Sequence, residues 1–318
     1  GIRHGLEREM AISIAPSVIF VRILMVFSLA LFGVIARYTG IFRAEAKDSV
    51  IDIMLHIALP ALILVSMTTD ITWESLVSGI VLPFLSLTVI LGMMVIANLF
   101  GRMNLVAKER RGTFAVLCSM PNTAFIGFPV IVSVLGEVGL AYAVLYDVGV
   151  TIAFCSVAIL ALQGGPIQKK HWLGLINPAL ISAVLGILLN WGQVQIPSVA
   201  LVPLQTMGSA TVPLAMLITG YLLCGVKKGS KVLSKDLILV CLCKLLVSPL
   251  LAYILMLPFD LSPTIRTVAL MQAAMPSMAS TPVLAEKFGG DGEFAVIALV
   301  VTTLLSMITL PVVSMLAN

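Results

Sequence analysis

The stretch Cys118-Ser-Met-Pro-Asn-Thr-Ala-Phe-Ile-Gly-Phe-Pro-Val130 lies inside an apolar segment, yet it carries two prolines, a glycine, an asparagine and a threonine. Proline removes a backbone donor and clashes with the preceding turn, so Pro121 and Pro129 are expected to break a helix here. Broken backbone at membrane depth persists only where its freed N–H and C=O groups are buried in protein or face a water-filled cavity. The break therefore predicts a functional site. A second such stretch, Met275-Pro-Ser-Met-Ala-Ser-Thr-Pro-Val283, lies in the other half of the chain.

The composition places the chain among integral membrane proteins. Of its 318 residues, 60% are hydrophobic and 11% are charged, where soluble domains carry about 25% charged residues. The mean hydropathy is +1.12. The net charge of +4 is distributed among short loops, so it does not indicate a nucleic-acid partner. The chain is expected to contact membrane lipid along most of its length.

Apolar runs predict ten membrane-spanning helices and hence an all-α integral membrane fold. The spans are 17–36, 49–68, 75–99, 112–135, 139–162, 173–191, 199–225, 236–257, 264–286 and 294–316. Residues 1–16 are expected to form an extramembrane segment, part of which we attribute to an expression tag, with Met10 as a candidate native start. Of the 19 basic residues, 14 fall in alternate loops, which predicts that those loops are cytoplasmic and that both termini lie outside.

Helix-breaking residues recur at a fixed offset. Gly33 and Gly186, Pro60 and Pro213, and Pro129 and Pro282 are each 153 positions apart, while Pro121 and Pro276 are 155 apart. The predicted halves are residues 17–162 and 173–318, joined by a short cytoplasmic link over 163–172. Five spans per half give the second half the opposite polarity, so the pattern predicts inverted repeats with broken helices 4 and 9 crossing near the bilayer midplane.

Several motifs resemble the auxin efflux carrier family, whose bacterial members include proteins assigned as malate or malonate permeases. These motifs are Ile57-Ala-Leu-Pro-Ala-Leu62, Pro121-Asn-Thr123, Asn177-Pro-Ala-Leu180, Val212-Pro-Leu-Ala-Met216, Lys244-Leu-Leu-Val-Ser-Pro249, Ala273-Ala-Met-Pro276 and Ser306-Met-Ile-Thr-Leu-Pro311. The resemblance implies a homodimeric carrier of organic anions with crossed helices, working by alternating access, and it implies substrate contact by Asn122. The compact size and short link are typical of bacterial members, so the inner membrane is the expected location.

Small polar residues at the breaks are the candidate substrate ligands. A helix N-terminus inside the membrane presents free N–H groups with a positive dipole, which suits a carboxylate. Side-chain hydrogen bonds without a fixed charge are available from Asn122, Thr123, Ser277, Ser280, Thr281 and, one turn before Pro276, Gln272. The alternative is that these residues only satisfy broken backbone or allow close helix packing.

Two charged residues fall within predicted spans. Asp147 in the fifth span either couples proton movement to transport or makes a structural hydrogen bond to the backbone of the broken helix. Lys244, about two turns into the eighth span, is expected to extend towards the cytoplasmic interface, and the alternative is a proton-coupling or structural charge inside the membrane. Asp52 and His56, four residues apart, are expected to form a helix pair at the cytoplasmic end of the second span, although a proton relay is the alternative.

These features predict a secondary transporter of mono- or dicarboxylates, in which one bundle carrying the crossing helices moves against a scaffold bundle. The first alternative is a sodium or proton antiporter, or a sodium-coupled carrier, on a similar frame. The second is a membrane receptor or scaffold that binds a ligand without moving it. Motifs of hydrolases, metalloproteases and nucleotide-binding loops are absent from the sequence, so no enzyme activity, metal or cofactor is expected.

Overall fold

A computed structural model describes residues 16–69, 71–163, 173–227, 229–230 and 232–316. The predicted N-terminal segment therefore lies outside the described residues except for its last position, and so does the central link except for Gln163. Apart from one isolated bridge, the described residues form only helices, turns and loops, which confirms the all-helical class. Seven of the described helices are long and apolar enough to cross a membrane.

The helices, numbered in chain order through the described ranges, have the following bounds. They are α1 Pro16–Tyr38, α2 Ala44–Thr69, α3 Trp73–Arg102, α4 Arg111–Ser119, α5 Thr123–Gln163, α6 Pro178–Trp191, α7 Ser198–Leu223, α8 Lys235–Met256, α9 Pro263–Ala273, α10 Thr281–Lys287 and α11 Gly292–Met315. Predicted spans 4 and 5 are not separated by a loop. They meet instead at Gly136 within α5, where φ is +67° and ψ is −162°, a conformation that glycine adopts readily.

The described helices pack as two groups. The first group contains α1, α2, α6 and α7: α1 lies against the second half of α7, while α2 lies against α6 and the first half of α7. The second group contains α3, α4, α5 and α8 to α11, with α3 in contact with α4, α5 and α8, and α9 in contact with α5 and α8. The groups touch mainly where α1, α2 and α7 meet α5 and where α1 meets α11.

Glycines allow the closest helix contacts within the first group. A Cβ at Gly220 would lie 1.8 Å from the Ala30 carbonyl oxygen, and one at Gly33 would lie 2.0 Å from the Leu217 oxygen, so α1 and α7 meet backbone to backbone. Gly186 of α6 likewise faces Met67 of α2. A Cβ at Gly186 would lie 2.5 Å from the Met67 Cβ. Small residues at such crossings are the usual way for membrane helices to approach one another.

Side chains from neighbouring helices cap two helix ends in the first group. Arg37 of α1 donates to the Tyr221 carbonyl in α7 at 2.7 Å, with its guanidinium 4.4 Å from the centre of the Tyr221 ring. Asn190 of α6 donates to the carbonyls of Met67 and Ile71 at 2.9 and 2.7 Å, at the end of α2. These bonds add side-chain donors at helix C-termini, where the last carbonyls have few donors ahead of them in the chain. The Tyr221 carbonyl also accepts from the Cys224 N–H at 3.3 Å.

We expect Gly220→Ala to destabilise the protein by about 1–3 kcal/mol, because the added methyl group meets rigid backbone and forces α1 and α7 apart. Thermal unfolding in detergent, followed by size-exclusion chromatography, measures the effect. The matched control is Gly192→Ala, where the nearest atom to the new Cβ is 3.4 Å away. Equal stability of both variants would contradict the close α1–α7 contact.

Candidate functional site

The two broken segments meet each other directly. The first lies between α4 and α5, and the second lies between α9 and α10. The Asn122 N–H donates to the Pro276 carbonyl at 2.9 Å, and the Met278 N–H donates to the Met120 carbonyl at 3.1 Å. Together these bonds form an isolated antiparallel bridge between Pro121 and Ser277. Each segment therefore satisfies backbone groups that the other helix break leaves free.

Pro121 accounts for the first break. A residue before proline avoids the helical region, and Met120 is accordingly extended, with φ −86° and ψ 115°. Because Pro121 has no N–H, the Leu117 carbonyl has no helical partner four residues ahead. The Ser277 hydroxyl takes that place and donates to the Leu117 oxygen at 2.8 Å. A side chain from the second break thus replaces the donor that proline removes from the first.

Pro129 does not break the helix, and this part of the prediction is wrong. It follows a π-helical turn over Thr123–Gly127 and occupies the first turn of the regular helix that begins at Phe128. The wider turn changes the hydrogen-bond spacing, so α5 accommodates a residue without an N–H. Pro282 likewise lies in the first turn of α10. The proline pair inside the breaks is therefore Pro121 and Pro276.

A cavity of about 300 Å³ lies beside the bridge, between the two helix groups. The broken segments contribute Asn122, Thr123 and Ser280, and α5 contributes Asp147 and Thr151. From the first group, α2 contributes His56, and Asn177 stands at the start of α6. The rest of the wall is mainly apolar and includes Leu55, Leu59, Phe125, Val150, Phe154 and Met278. The cavity thus combines a few polar groups with an apolar surface, as ligand sites do.

Asn122 presents its side chain to this cavity while its backbone holds the bridge. The residue is only 3% exposed, and among the described residues its side-chain amide has no hydrogen-bond partner. An amide offers two donors and an acceptor. Asn122 can therefore give hydrogen bonds to a ligand without giving up a protein contact.

Asp147 and Thr123 contact each other at the cavity wall. The Thr123 hydroxyl donates to the Asp147 carboxylate, which ties the middle of α5 to its own first residue beyond the break. Thr151 lies four residues after Asp147 and lines the same cavity. The contact reaches a side chain of the broken helix and not its backbone, so the structural and the proton-coupling roles of Asp147 both stay predictions.

Three of the expected substrate ligands do not line this cavity as the structure describes it. Ser277 is fully buried and its hydroxyl is bound to Leu117. Gln272 is fully buried with its Oε1 2.3 Å from the position of a Cβ on Gly127, so the amide packs against the π-helical turn. Thr281 is buried too, and within the described residues neither its hydroxyl nor the Gln272 amide has a partner.

Lys244 does not extend to the cytoplasmic interface, so that prediction is wrong. Its side chain is 0% exposed, and its ammonium donates to the Ala273 carbonyl at 3.0 Å and the Ser248 hydroxyl at 3.4 Å. Ala273 is the last residue of α9 before the second break. The negative end of the α9 dipole attracts the ammonium inward, which sequence depth alone does not reveal.

Two cavity-lining positions were not predicted as such from the sequence. His56 pairs with Asp52 as expected, with Nδ1 3.0 Å from the Asp52 carbonyl oxygen and 3.8 Å from its carboxylate, but it also lines the cavity. Asn177 caps α6 by accepting from the Leu180 N–H at 2.9 Å, and it too faces the cavity. The family motif Asn177-Pro-Ala-Leu180 was the available signal for Asn177.

Arg110, directly before α4, joins three helix ends. Its guanidinium donates to Asp291 at 2.7 Å and to Asp236 at 3.4 Å, at the starts of α11 and α8. Burial lowers the pKa of Arg110, but the hydrogen bonds and charges of the two aspartates raise it, and the net shift is upward. The network fixes the second group at one end.

We expect Ser277→Ala to lower stability by about 1–3 kcal/mol, because the buried Leu117 carbonyl loses its donor. Ser280→Ala is the matched control, because among the described residues the Ser280 hydroxyl has no partner to lose. Thermal unfolding of both purified variants measures the difference. A Ser280→Ala variant as unstable as Ser277→Ala would argue against this assignment.

Comparison with known proteins adds a family match and two relatives. A family model described as membrane transport protein matches residues 18–314. An uncharacterized transporter of Methanocaldococcus jannaschii is 27% identical over 298 residues, covering 91% of this chain and 95% of the relative. An uncharacterized transporter of Methanothermobacter thermautotrophicus is 28% identical over 304 residues, with the same two coverages.

Proposed function

This chain belongs to the auxin efflux carrier family of membrane transport proteins, and from that premise we propose that it carries small organic anions across the plasma membrane. The observation that carries the proposal is the cavity at the bridge, where Asn122 offers an amide that has no partner within the described part of the chain. Transport would be secondary, driven by gradients, and the working unit would be a homodimer in the lipid bilayer.

The proposed architecture has ten crossings in two inverted repeats. At 1.5 Å per residue, the 41 residues of α5 measure about 60 Å, twice the hydrocarbon thickness, so the kink at Gly136 would separate two crossings. α4 with the start of α5 would form the fourth crossing, and α9 with α10 the ninth.

Equivalent contacts in the first group support the repeat. Arg37 and Asn190, which cap α7 and α2 respectively, are 153 positions apart. Gly33 packs against Leu217, and Gly186 packs against Leu64. The two glycines are again 153 positions apart, and so are the two leucines. The same offset thus relates prolines, glycine contacts and helix caps. This is expected if the two halves of the chain make equivalent contacts with each other.

The cavity chemistry favours an anion with an apolar body. The Asn122 amide and the first turn of α5 offer N–H groups at the positive end of that helix, which suit a carboxylate. His56 is the only basic side chain of the described lining, and Leu55, Leu59 and Phe154 surround the remaining space. A monocarboxylate of modest size therefore fits better than a compact dicarboxylate.

Alternating access would follow from relative movement of the two groups. The bridge, Asn122 and Asp147 belong to the second group. His56 lies on α2 of the first group, and Asn177 stands directly before α6 of that group. Because Asn177 stands at the predicted cytoplasmic end of α6, the cavity would open towards the cytoplasm. Elevator-type movement of the second group would carry the ligand past the first group and open the site outward.

Cation antiport remains the second candidate, because Asp147 places a carboxylate in the cavity wall. Cation sites usually combine several carboxylates, and Asp147 is the only one among the described lining residues. A receptor without transport would bind a ligand and show no flux.

Uptake of labelled malonate, malate and indole-3-acetate into proteoliposomes tests the proposal. We expect saturable, protein-dependent carboxylate flux, with indole-3-acetate preferred because of the apolar wall. Collapse of an imposed sodium or proton gradient without carboxylate flux would favour the antiporter. Binding without flux would favour the receptor.

We expect Asn122→Ala to raise the KM for the transported carboxylate about tenfold or more, because a charge-assisted hydrogen bond is worth roughly 1.5–3 kcal/mol. Initial rates of uptake measure KM. Asn98→Ala is the matched control, since Asn98 is exposed on α3 and does not line the cavity. An unchanged KM for Asn122→Ala would contradict the site assignment.

A further inference from the structure

Two ionisable groups contact the two broken helices, one at each. Lys244 is fully buried and donates to Ala273 at the C-terminus of α9, while Asp147 accepts from Thr123 at the N-terminus of α5. Each charge thus lies at the helix end of opposite dipole sign. Within the described residues, neither group has an oppositely charged side chain within 4 Å.

Hydrogen bonding alone does not account for the Lys244 ammonium. The Ala273 carbonyl also accepts from the Ser248 hydroxyl at 2.9 Å, so a neutral side chain already satisfies it. A charge inside a membrane protein is costly and usually marks a transport pathway. The charge itself, rather than its hydrogen bond, therefore requires an explanation.

Charge balance in the second group provides that explanation. With Lys244 protonated and Asp147 ionised, these two groups sum to zero when the site is empty. A bound monovalent anion adds one negative charge, and uptake of one proton by the Asp147 carboxylate restores zero. Both residues lie on helices of the second group, α8 and α5, so they would cross the membrane together.

Resting on the proposed function, we propose that Lys244 and Asp147 fix the transport stoichiometry at one proton per monovalent anion, so that the loaded and empty carriers both move without net charge. The proton binds a carboxylate oxygen of Asp147 from the side to which the cavity is open. It leaves with the anion on the other side. Lys244 keeps its proton throughout and serves as a positioning residue for the end of α9.

Other ionisable groups near the pair do not alter this balance. They are His56 on α2, Tyr146 on α5, and Cys118 and Cys243 beside Lys244. Two arginines lie farther away on the helices that pack here, Arg22 on α1 and Arg266 seven residues before Ala273 on α9. His56 and its neighbour Asp52 belong to the first group and would stay in place. Arg22 binds the carbonyls of Ser133 and Val134, more than twelve residues from Asp147 along α5. The phenol and the thiols are neutral in their ordinary state near pH 7.

The test measures which gradient drives transport in proteoliposomes. Labelled indole-3-acetate is the probe, protein-free vesicles give the passive leak, and a potassium gradient with valinomycin clamps the membrane potential. For the unmodified protein, one pH unit of external acidity should support about tenfold protein-dependent accumulation. A potential of 100 mV, positive inside, should support none.

Asp147→Asn and Lys244→Met should reverse these responses. Asp147→Asn carries no proton, and in Lys244→Met the Asp147 carboxylate, without the balancing ammonium, should keep its proton in both the loaded and the empty state. In either variant the anion then moves alone with one net charge per cycle, so 100 mV should support about fifty-fold accumulation and the pH gradient none. Lys244→Arg keeps the charge and should behave like the unmodified protein. If Lys244→Met fails to fold, Asp147→Asn alone decides the question.

If Asp147 and Lys244 had a purely structural role, their substitution would lower the rate of uptake without changing which gradient drives it. Saturable flux of the unmodified protein that follows the potential would overturn the stoichiometry and leave the proposed function intact. Unchanged proton coupling in Asp147→Asn or in a folded Lys244→Met would also overturn it. Absence of saturable flux for all three carboxylates would overturn the proposed function, and the inference with it.

Discussion

Two backbone hydrogen bonds between the broken segments are the constraint on which the rest of the site depends. They join Asn122 to Pro276 and Met278 to Met120, so each proline-broken segment supplies partners for the other. The Ser277 hydroxyl adds the donor that Pro121 removes from Leu117. Exposed polar backbone is not tolerated in lipid, so neither break is stable without the other. The bridge frees the Asn122 side chain to face the cavity, because it occupies only the backbone.

The frame around the bridge is repetitive, and the charges are not. Caps by Arg37 and Asn190 and contacts of Gly33 and Gly186 recur at an offset of 153 residues. Asp147 and Lys244 have Val300 and Leu91 at the corresponding offset, so the ionisable pair breaks the pattern. The proposed inverted repeats would suit a carrier that faces each side in turn, while a pair of charges outside the repeat would set what travels with the substrate.

The sequence predicted what depends on local covalent chemistry and composition. The all-helical membrane fold follows from hydropathy, and the helix ends at Ser119 and Ala273 lie one and two residues before Met-Pro pairs that disfavour helix. Features that depend on contact with another part of the structure were not predicted. Pro129 was expected to break α5 because the π-helical turn before it has no clear sequence signal. The inward direction of Lys244 depends on the Ala273 carbonyl, 29 residues away, and the separation of Gln272 from the cavity depends on Gly127.

A structure determined in lipid nanodiscs with bound iodinated indole-3-acetate tests the central claim most directly. The account predicts the iodinated ligand in the cavity between Asn122, Ser280 and His56, with its carboxylate at Asn122. It also predicts that the hydrogen bonds from Asn122 to Pro276 and from Met278 to Met120 stay intact in the bound state. A ligand bound away from the broken segments, or a bridge that opens on binding, would contradict the account.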